Sequence, residues 1–506
     1  MKSEKKSEKI SDAIGGLSEE TVMSAADTRL RHLQKEEKKT TARKIWLRIA
    51  SAAACLGIVG GIFLMNGRNN FLISASAETL VKAEYPEVAP YPDEELYHDA
   101  SGLFDSDAFD RVYESWRGQR TARQEAKAAL GDLSDFYLST ARTFLSDSGT
   151  ENRVYSPVSL YTALSMLAET TGGESRAQLL SLLGAENIEA LRSKAKNLWT
   201  ANYQNDGATT SILADSLWLN QSVGFVEETV ERLAKDYYAS SYRGDPASTE
   251  FNQALRDWLN EQTGGLLKEA VERTSLSPET ILAIYSTVYF RAKWALQFRP
   301  ANNDKKIFHA VSGDQTAEFM NAADDMGQYY WADDFGAICL HFVNGGGMWL
   351  FLPDEGKTVD DVLSSGDYLE MIQKSNRGEW KNTKSLIVRY SVPKFDVSSD
   401  LQLIDGLTSL GIEDIFEAER ADFVPLLGNS DSEKEAFVGN VRQAVRVVID
   451  EEGCTAAAFT EIALSGAGMP SGEKMDFILD RPFVFAITGD TGEILFIGTV
   501  MSVDNE

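Results

Sequence analysis

The 506-residue sequence is poor in the residues that build disulfide frameworks and zinc sites. Its three cysteines, Cys55, Cys339 and Cys454, lie too far apart for CxxC or zinc-ribbon spacing. Its four histidines, at positions 32, 98, 309 and 341, form no HExxH motif. Basic residues are also in deficit, because 49 Lys and Arg face 77 Asp and Glu and give a net charge of −28. We therefore expect no disulfide scaffold, no metal site and no nucleic-acid partner.

Motifs of the common enzyme classes are missing as well. The sequence contains no GxSxG and no Walker A loop, and the glycines around Gly466 and Gly468 do not complete a dinucleotide-binding motif. We expect neither an enzyme nor a small-molecule cofactor. Proline is scarce at 12 residues, and 43% apolar and 25% charged residues are globular proportions. No repeat of 20 to 50 residues occurs, which argues against solenoids and propellers.

A long uncharged apolar run lies near the N-terminus. It covers residues 49–65, and six Lys and Arg residues precede it between positions 35 and 48, whereas only Arg68 follows closely. The positive-inside rule then predicts a single transmembrane helix at 45–66, a cytoplasmic arm at 1–44 and an extracellular remainder. The charge distribution agrees with this orientation, because residues 1–68 carry 13 basic and 8 acidic side chains although the whole chain is strongly acidic.

One alternative to a retained anchor is secretion. Ala75-Ser76-Ala77 resembles a signal-peptidase site, so the chain could be cleaved near Ala77. We favour retention, because a signal peptide has a short basic start and this chain places a long polar arm before the apolar run.

Two further regions follow the apolar run. Residues 67–130 are acidic, are punctuated by Pro86, Pro90 and Pro92, and then form a polar helical pattern, which predicts an extracellular stalk or linker. Residues 131–506 begin with amphipathic helices and continue with β-branched and aromatic runs. The second region predicts one large α+β domain with a large, mostly antiparallel sheet.

The segment after residue 453 has the chemistry of both a strand and a loop. One alternate face, formed by Cys454, Ala456, Ala458, Thr460, Ile462 and Leu464, is uncharged and free of proline. Such a face can be buried in a sheet. The segment nevertheless ends in Ser465-Gly466-Ala467-Gly468-Met469-Pro470, which is loop chemistry. We interpret it as a conditional strand, and an Ala-rich helix next to a loop is the alternative that this segment alone leaves open.

Several separated motifs, in the same order along the chain, are similar to those of the serpin family between about residues 133 and 503. They are NRVYSPVSLYTALSML (152–167), TGGES (171–175), WLN with TGG (258–265), VYF (288–290), VPKF (392–395), LGI (410–412), ADF (421–423) and FILDRPFVF with ILFIG (477–498). The chain therefore resembles a serpin.

This resemblance implies a serpin fold with a mobile reactive-centre loop, and a suicide mechanism of inhibition. A serine peptidase would form its acyl-enzyme on the loop, and the freed segment would insert into the sheet and distort the attached enzyme. The partner would be the target peptidase, bound covalently. The implied hinge comprises Glu451, Glu452, Gly453, Cys454, Thr455, Ala456, Ala457 and Ala458. Its small residues permit insertion, although Cys454 stands where Thr or Ser is usual.

The resemblance also identifies residues that govern opening of the sheet. Ser156 and Ser159 match the family, whereas Ser286 stands where Asn is usual and Gln443 where His is common. At the top of the sheet, Lys394 with Glu451 resembles the ion pair that holds the hinge, beside Trp294.

Family spacing from Gly453 places the scissile bond at Ala467–Gly468, whereas counting back from Pro482 gives Ser471. We prefer the first, because the inserting half must match the sheet in length. Ala467 suits an elastase-like or subtilisin-like peptidase, and Leu464 or Met469 would suit a chymotrypsin-like one. No Lys or Arg lies between 451 and 473, which argues against trypsin-like targets.

These features together predict a membrane-anchored inhibitor at a bacterial cell surface that acts on extracellular peptidases. The alternative is a surface-binding or interaction protein that uses the serpin fold without inhibition.

Overall fold

The structure is a computed structural model that describes residues 77–98, 102–429, 436–454 and 473–503. The predicted arm at 1–44, the predicted transmembrane segment at 45–66 and residues 455–472 lie outside the described residues. Within the described ranges, no helix combines the length and the apolar character needed to cross a membrane.

The described ranges contain twelve α-helices. They are α1 (Ser106–Leu130), α2 (Ser134–Leu145), α3 (Pro157–Thr170), α4 (Gly173–Leu182), α5 (Ile188–Asn202), α6 (Glu227–Asp236), α7 (Thr249–Gln262), α8 (Lys268–Glu272), α9 (Val359–Ser365), α10 (Asp367–Asn376), α11 (Ile404–Ser409) and α12 (Val424–Leu427). Helix α3 lies in the core, where it contacts strands of two sheets and its apolar side chains are buried.

The strands of the described ranges are β1 (Glu78–Val81), β2 (Arg153–Tyr155), β3 (Gln204–Asn205), β4 (Thr209–Asn220), β5 (Ala239–Gly244), β6 (Leu282–Lys293), β7 (Asp304–Ala310), β8 (Gly313–Trp331), β9 (Phe335–His341), β10 (Gly347–Pro353), β11 (Thr383–Pro393), β12 (Asp396–Gln402), β13 (Arg442–Val448), β14 (Gly453–Cys454), β15 (Lys474–Ile478), β16 (Phe483–Thr488) and β17 (Ile494–Val500).

These strands form three sheets. The first has the order β1-β5-β4-β6-β14, with β3 paired to β4. The second has the order β15-β11-β8-β9-β10-β16-β17-β2, with β7 paired to β8, and the third consists of β12 and β13. Pairing is antiparallel except between β4 and β5 and between β11 and β15. The predicted α+β class is therefore confirmed, although the strands divide into several sheets.

Residues 77–98 and 102–130 pack onto the body, so the prediction of a stalk is wrong for them. Strand β1 pairs with β5, and Glu78 lies opposite Arg243. The ring of Tyr85 lies 5.6 Å from that of Trp199. Trp116 of α1 donates a hydrogen bond of 3.1 Å to the buried Asp206. The segment is polar in composition, but a few of its residues, among them Trp116 and Leu130, become buried against the body.

The C-terminal half of α1 is fixed by buried ion pairs. Arg123 lies 2.8 Å from Asp490, and their side chains are only 6% and 4% exposed. Lys127 pairs with Glu493, which also accepts a hydrogen bond of 2.5 Å from Tyr137. Both acids belong to the turn between β16 and β17, so these ion pairs join α1 to the second sheet through that turn.

Candidate functional site

The first sheet is interrupted beside β6. One side of β6 pairs with β4 along its whole length, whereas on the other side only Gly453 and Cys454 of β14 pair with it. Strand β13 pairs with β12, and no pairing in the described ranges joins β6 to β13. The cleft that remains is lined by Ser286, Thr287, Val288 and Tyr289 of β6 and by Ala444, Val445 and Arg446 of β13. Most of β6 is therefore an open edge that can accept another strand.

The N-terminal end of α3 forms the floor of this cleft. Ser156 is the N-cap of α3, and its hydroxyl accepts a hydrogen bond of 3.2 Å from Ser159 N. A serine at the N-cap followed by proline at the first helical position is a typical helix start. This local geometry aims the hydroxyl of Ser159 at the strand above.

Both sides of the cleft bind this helix end, each through a predicted residue. On the β6 side, Ser159 Oγ lies 3.0 Å from the carbonyl oxygen of Ser286 and 3.2 Å from its hydroxyl. On the β13 side, Gln443 Oε1 accepts from Ser156 N at 2.9 Å, and Gln443 Nε2 donates to Ser156 O at 3.0 Å. The structure thus brings together Ser156, Ser159, Ser286 and Gln443.

An ion pair closes the top of the cleft. Lys394 Nζ lies 2.7 Å from Glu451 Oε1 and 3.2 Å from Glu318 Oε1. Asn303 Nδ2 donates a hydrogen bond of 2.5 Å to Glu451 Oε1. Burial opposes ionisation of Glu451, but Lys394 and Asn303 outweigh it and hold the pKa of this carboxyl below its usual value.

Trp294 holds the chain that leads into β14. Its indole N–H donates a hydrogen bond of 2.8 Å to Asp450 O, and its backbone N–H donates one of 3.2 Å to Glu452 O. Asp450 Oδ1 in turn accepts from the backbone N–H groups of Glu452 and Gly453. The predicted group of Trp294, Lys394 and Glu451 therefore lies together where the chain turns towards β6.

The chain that forms this cleft is similar to proteins of a known family. A model of the family described as Serpin (serine protease inhibitor) matches residues 132–503. The chain belongs to the serpin family. Members of this family are generally protease inhibitors that react with their targets as suicide substrates, and are not enzymes.

Individual relatives have low sequence identity to this chain, but the similarity extends over most of each chain. The chain is 28% identical over 365 residues to Serpin-ZXA of Oryza sativa subsp. japonica, which covers 69% of this chain and 90% of the relative. The crystal structure of the thermophilic serpin tengpin in its native state is similar with a TM-score of 0.64, 24% identity and coverage of 84% and 99%. A thyroxine-binding globulin complex with thyroxine is similar with a TM-score of 0.62, 21% identity and coverage of 75% and 100%. The likeness to these two structures concerns the fold.

The predicted hinge of this serpin is described only up to Cys454. Gly453 is required here, because an added Cβ would lie 2.1 Å from the carbonyl oxygen of Ala292. Cys454 is 3% exposed, and burial, then the nearby Asp450, raise the pKa of its thiol to about 12, which disfavours the nucleophilic thiolate. The hinge residues Thr455, Ala456, Ala457 and Ala458 and the scissile candidates Ala467 and Gly468 lie outside the described residues.

Four residues of the serpin site were not predicted from the sequence. Thr162 lies 2.8 Å from the hydroxyl of Ser286, and its position one helical turn after Ser159 is a signal that could have identified it. Asn303, which directly precedes β7, and Glu318 of β8 join the group around Lys394, and no local motif marks them. Asp215 of β4 lies directly opposite Ser286.

Proposed function

We propose that this serpin inhibits extracellular serine-type endopeptidases by suicide-substrate trapping, in which the loop after Cys454 inserts between β6 and β13. The observation that carries the proposal is the interrupted sheet, whose open edge on β6 is already paired at its top with Gly453 and Cys454.

The existing register supports insertion over a defined length. Gly453 lies opposite Lys293 and Cys454 opposite Ala292, in antiparallel pairing. Continuing the same register would bring Leu464 opposite Leu282, where β6 begins. About ten further residues would pair, and at roughly 1 kcal/mol for each net hydrogen bond the driving force would be about 10 kcal/mol. A displacement of about 1 Å at a catalytic site can cost a hundredfold in rate, so this force suffices for trapping.

The same register determines which loop side chains would face the core and which would face the other side of the sheet. Directly opposite residues of an antiparallel pair point to one face. Ala456 would then lie opposite the buried Phe290, and Thr460 opposite Ser286, on the inner face above α3. The bulky Phe459 would lie opposite Thr287, on the face that α7 partly covers. No charged side chain would have to enter the core, and the largest side chains on the inner face, Ile462 and Leu464, are apolar.

The length of β6 also supports the first placement of the scissile bond. Ala467–Gly468 would follow the last paired residue, Leu464, by only three positions, whereas Ser471 would leave a longer unpaired stretch. A small residue before the cleaved bond suits an elastase-like or subtilisin-like peptidase. We therefore propose Ala467–Gly468 as the bait.

The proposal includes a location at a bacterial cell surface, with residues 45–66 as a membrane anchor and residues 1–44 in the cytoplasm. The basic cluster before the apolar run supports this orientation. Secretion after cleavage near Ala77 is the alternative, and such a cut would leave β1 intact, since β1 begins at Glu78. Cell fractionation with N-terminal sequencing of the mature chain distinguishes the two.

A second candidate function is ligand or partner binding without inhibition. It is favoured by the fold likeness to thyroxine-binding globulin, which was crystallised in complex with thyroxine.

The test is to mix the purified full chain, in detergent, with elastase-, subtilisin-, chymotrypsin- and trypsin-like peptidases and to analyse the mixtures on denaturing gels. We expect a denaturant-resistant complex with the first two, and a released peptide whose mass corresponds to cleavage after Ala467. Cleavage without a complex, and without a gain in heat stability, would replace inhibition with the binding function.

A further inference from the structure

A carboxyl group lies buried beneath the first sheet without a partner. Asp215 of β4 is 1% exposed, and neither of its carboxylate oxygens completes a hydrogen bond with a described residue. Burial raises the pKa of this group to about 7, and the nearby hydroxyls of Ser286 and Thr162 lower it only in part. Such a group is costly to ionise in place.

Asp215 lies next to the cleft on its inner side. It is directly opposite Ser286 of β6 and beside Ala239 of β5. Opposite residues of an antiparallel pair share a face, and the hydroxyl of Ser286 points to Ser159 and Thr162 of α3. Asp215 therefore faces α3, one strand away from the edge that would receive the loop.

The neighbouring hydroxyls have few protons to offer this carboxylate. Ser159 Oγ lies within hydrogen-bond distance of two atoms of Ser286. Thr162 Oγ1 lies within the same range of the carbonyl oxygens of Val158 and Ser159 as well as of Ser286 Oγ. Each hydroxyl carries a single proton. Ser159 and Thr162 thus direct their protons mainly within the cluster, and the hydroxyl proton of Ser286 is the main one left to stabilise an ionised Asp215.

The charged groups of the surrounding elements do not compensate Asp215 either. On α3, Glu169 is held by Arg192, Arg232 and Tyr237. Glu261 of α7 acts on the pKa of Tyr85, which burial and then Asp215 raise. The charged residues of the paired strands lie at their far ends, Arg291 and Lys293 on β6 and Arg243 on β5. Among the described residues, no charged side chain contributes to the pKa shift of Asp215.

We propose that Asp215 is a proton-controlled latch of the sheet: its neutral form keeps β4 and β6 seated on α3, and its ionisation promotes opening of the cleft between β6 and β13. The latch rests on the proposed function, because it regulates the step at which the loop would insert.

The direction of the effect follows from proton linkage. The closed sheet raises the pKa of Asp215 from 3.8 to about 7, so the closed sheet keeps a proton that an opened, hydrated site would release. Closure is favoured fully below about pH 4, and the preference falls as the pH rises to about 7. Above that value both states are ionised, and the preference no longer changes.

The test measures opening itself by hydrogen exchange of the amides of β6 and β13 in the full chain between pH 5 and pH 8, corrected for the intrinsic exchange rate. We expect the opening equilibrium to rise with pH by up to about tenfold for each unit up to pH 7 and then to level off. Asp215→Asn removes the titration and should make opening independent of pH over this range.

Ser286→Asn is the second variant. Its amide would provide additional donors beside Asp215, which stabilise the carboxylate, and should move the pH dependence to lower pH without abolishing it. This result would separate a latch from a merely structural role, which would shift opening equally at every pH.

Equal pH dependence in the wild type and in Asp215→Asn would overturn the latch, as would opening that does not change with pH in the wild type. Because exchange requires no peptidase and no insertion, these outcomes are independent of the gel assay. If opening depends on the ionisation of Asp215 but no peptidase complex forms on gels, only the proposed inhibition is refuted.

Discussion

Ser286 and Gln443 bind the same end of α3, although their strands do not pair with each other. Ser286 reaches Ser159 from β6, and Gln443 reaches the backbone of Ser156 from β13. The two sides of the cleft are therefore held in position through the helix beneath them. An inserting strand would have to change these two contacts, and not a ladder of backbone hydrogen bonds.

Removing the β13 contact should destabilise the protein. Gln443→Ala deletes two hydrogen bonds to the buried Ser156 and leaves its backbone N–H unpaired, whereas its carbonyl oxygen keeps the hydrogen bond from Leu160 N. We expect a loss of about 1 to 3 kcal/mol in the free energy of unfolding, measured by chemical denaturation. Gln402→Ala, at an exposed position of the neighbouring strand, is the control and should change little. An unchanged midpoint for the first variant would show that Gln443 does not secure β13.

The ion pair between Lys394 and Glu451 at the top of the cleft should make the stability of the protein sensitive to acid. The pKa of Glu451 lies below its usual 4.5, mainly because Lys394 and Asn303 outweigh the effect of burial. Its contribution is therefore complete above about pH 4.5 and is lost as the pH falls through the lower folded value. Lys394→Met should lower stability by roughly 1 kcal/mol at neutral pH and reduce the loss below pH 4.5. Thermal unfolding from pH 3 to 7 measures this, and a Lys394→Met profile parallel to the wild type would contradict it.

The buried ion pair between Arg123 and Asp490 should contribute far more to stability than an exposed ion pair on the surface of α1. Arg123→Met leaves Asp490 buried and uncompensated, which typically costs about 3 to 5 kcal/mol. Arg117→Met, whose pair with Glu114 is exposed, should cost less than about 1 kcal/mol. Denaturation of both variants tests whether α1 is an integral part of the body. Two equally small losses would restore the interpretation of this region as a spacer.

Gly453 should be intolerant of a side chain. Gly453→Ala would place Cβ 2.1 Å from the carbonyl oxygen of Ala292 and separate β14 from β6. We expect a loss of about 1 to 3 kcal/mol in stability and slower formation of the peptidase complex. Gly439→Ala, where the nearest atom is 3.7 Å away in a side chain, is the matched control. If both variants behave alike, β14 has no part in the mechanism.

The register of insertion predicts opposite effects for two neighbouring loop residues. Thr460→Glu would direct a charge at Ser286 and the core, whereas Phe459→Glu would direct it to the outer face. Burying an unpaired carboxylate is strongly unfavourable. We expect Thr460→Glu to convert the inhibitor into a substrate and Phe459→Glu to retain the complex on denaturing gels. The reverse result would mean that the loop inserts in a register shifted by one residue.

Some of this site could be predicted from the sequence because its determinants are local. Ser156 and Ser159 belong to a contiguous helix start, and Lys394 lies in the VPKF motif. The interruption of the sheet could not be predicted in this way, because the patterns of β6 and β13 do not specify which strand each one pairs with. Asp215 was missed for a similar reason. It lies within a well-formed strand, and only the pairing with Ser286 shows that it faces the core.

The N-terminal segment was misinterpreted because burial there depends on a few anchors. Tyr85, Trp116 and Arg123 are separated by many exposed polar residues, so neither periodicity nor mean composition indicates a packed face. Their partners, Trp199, Asp206 and Asp490, are distant in the sequence. Only the tertiary fold brings these pairs together.

Strand β1 determines where the described body receives the preceding chain. Glu78 lies opposite Arg243, Arg243 beside Leu219, and Leu219 opposite Leu282 at the start of β6. The bait segment departs at the other end of β6, where Gly453 lies opposite Lys293. At roughly 3.3 Å per residue, these two ends of β6 are about 36 Å apart. If the proposed anchor precedes Glu78, it would hold the body at this end of β6 and leave the opposite end, where the proposed bait begins, free to meet a peptidase.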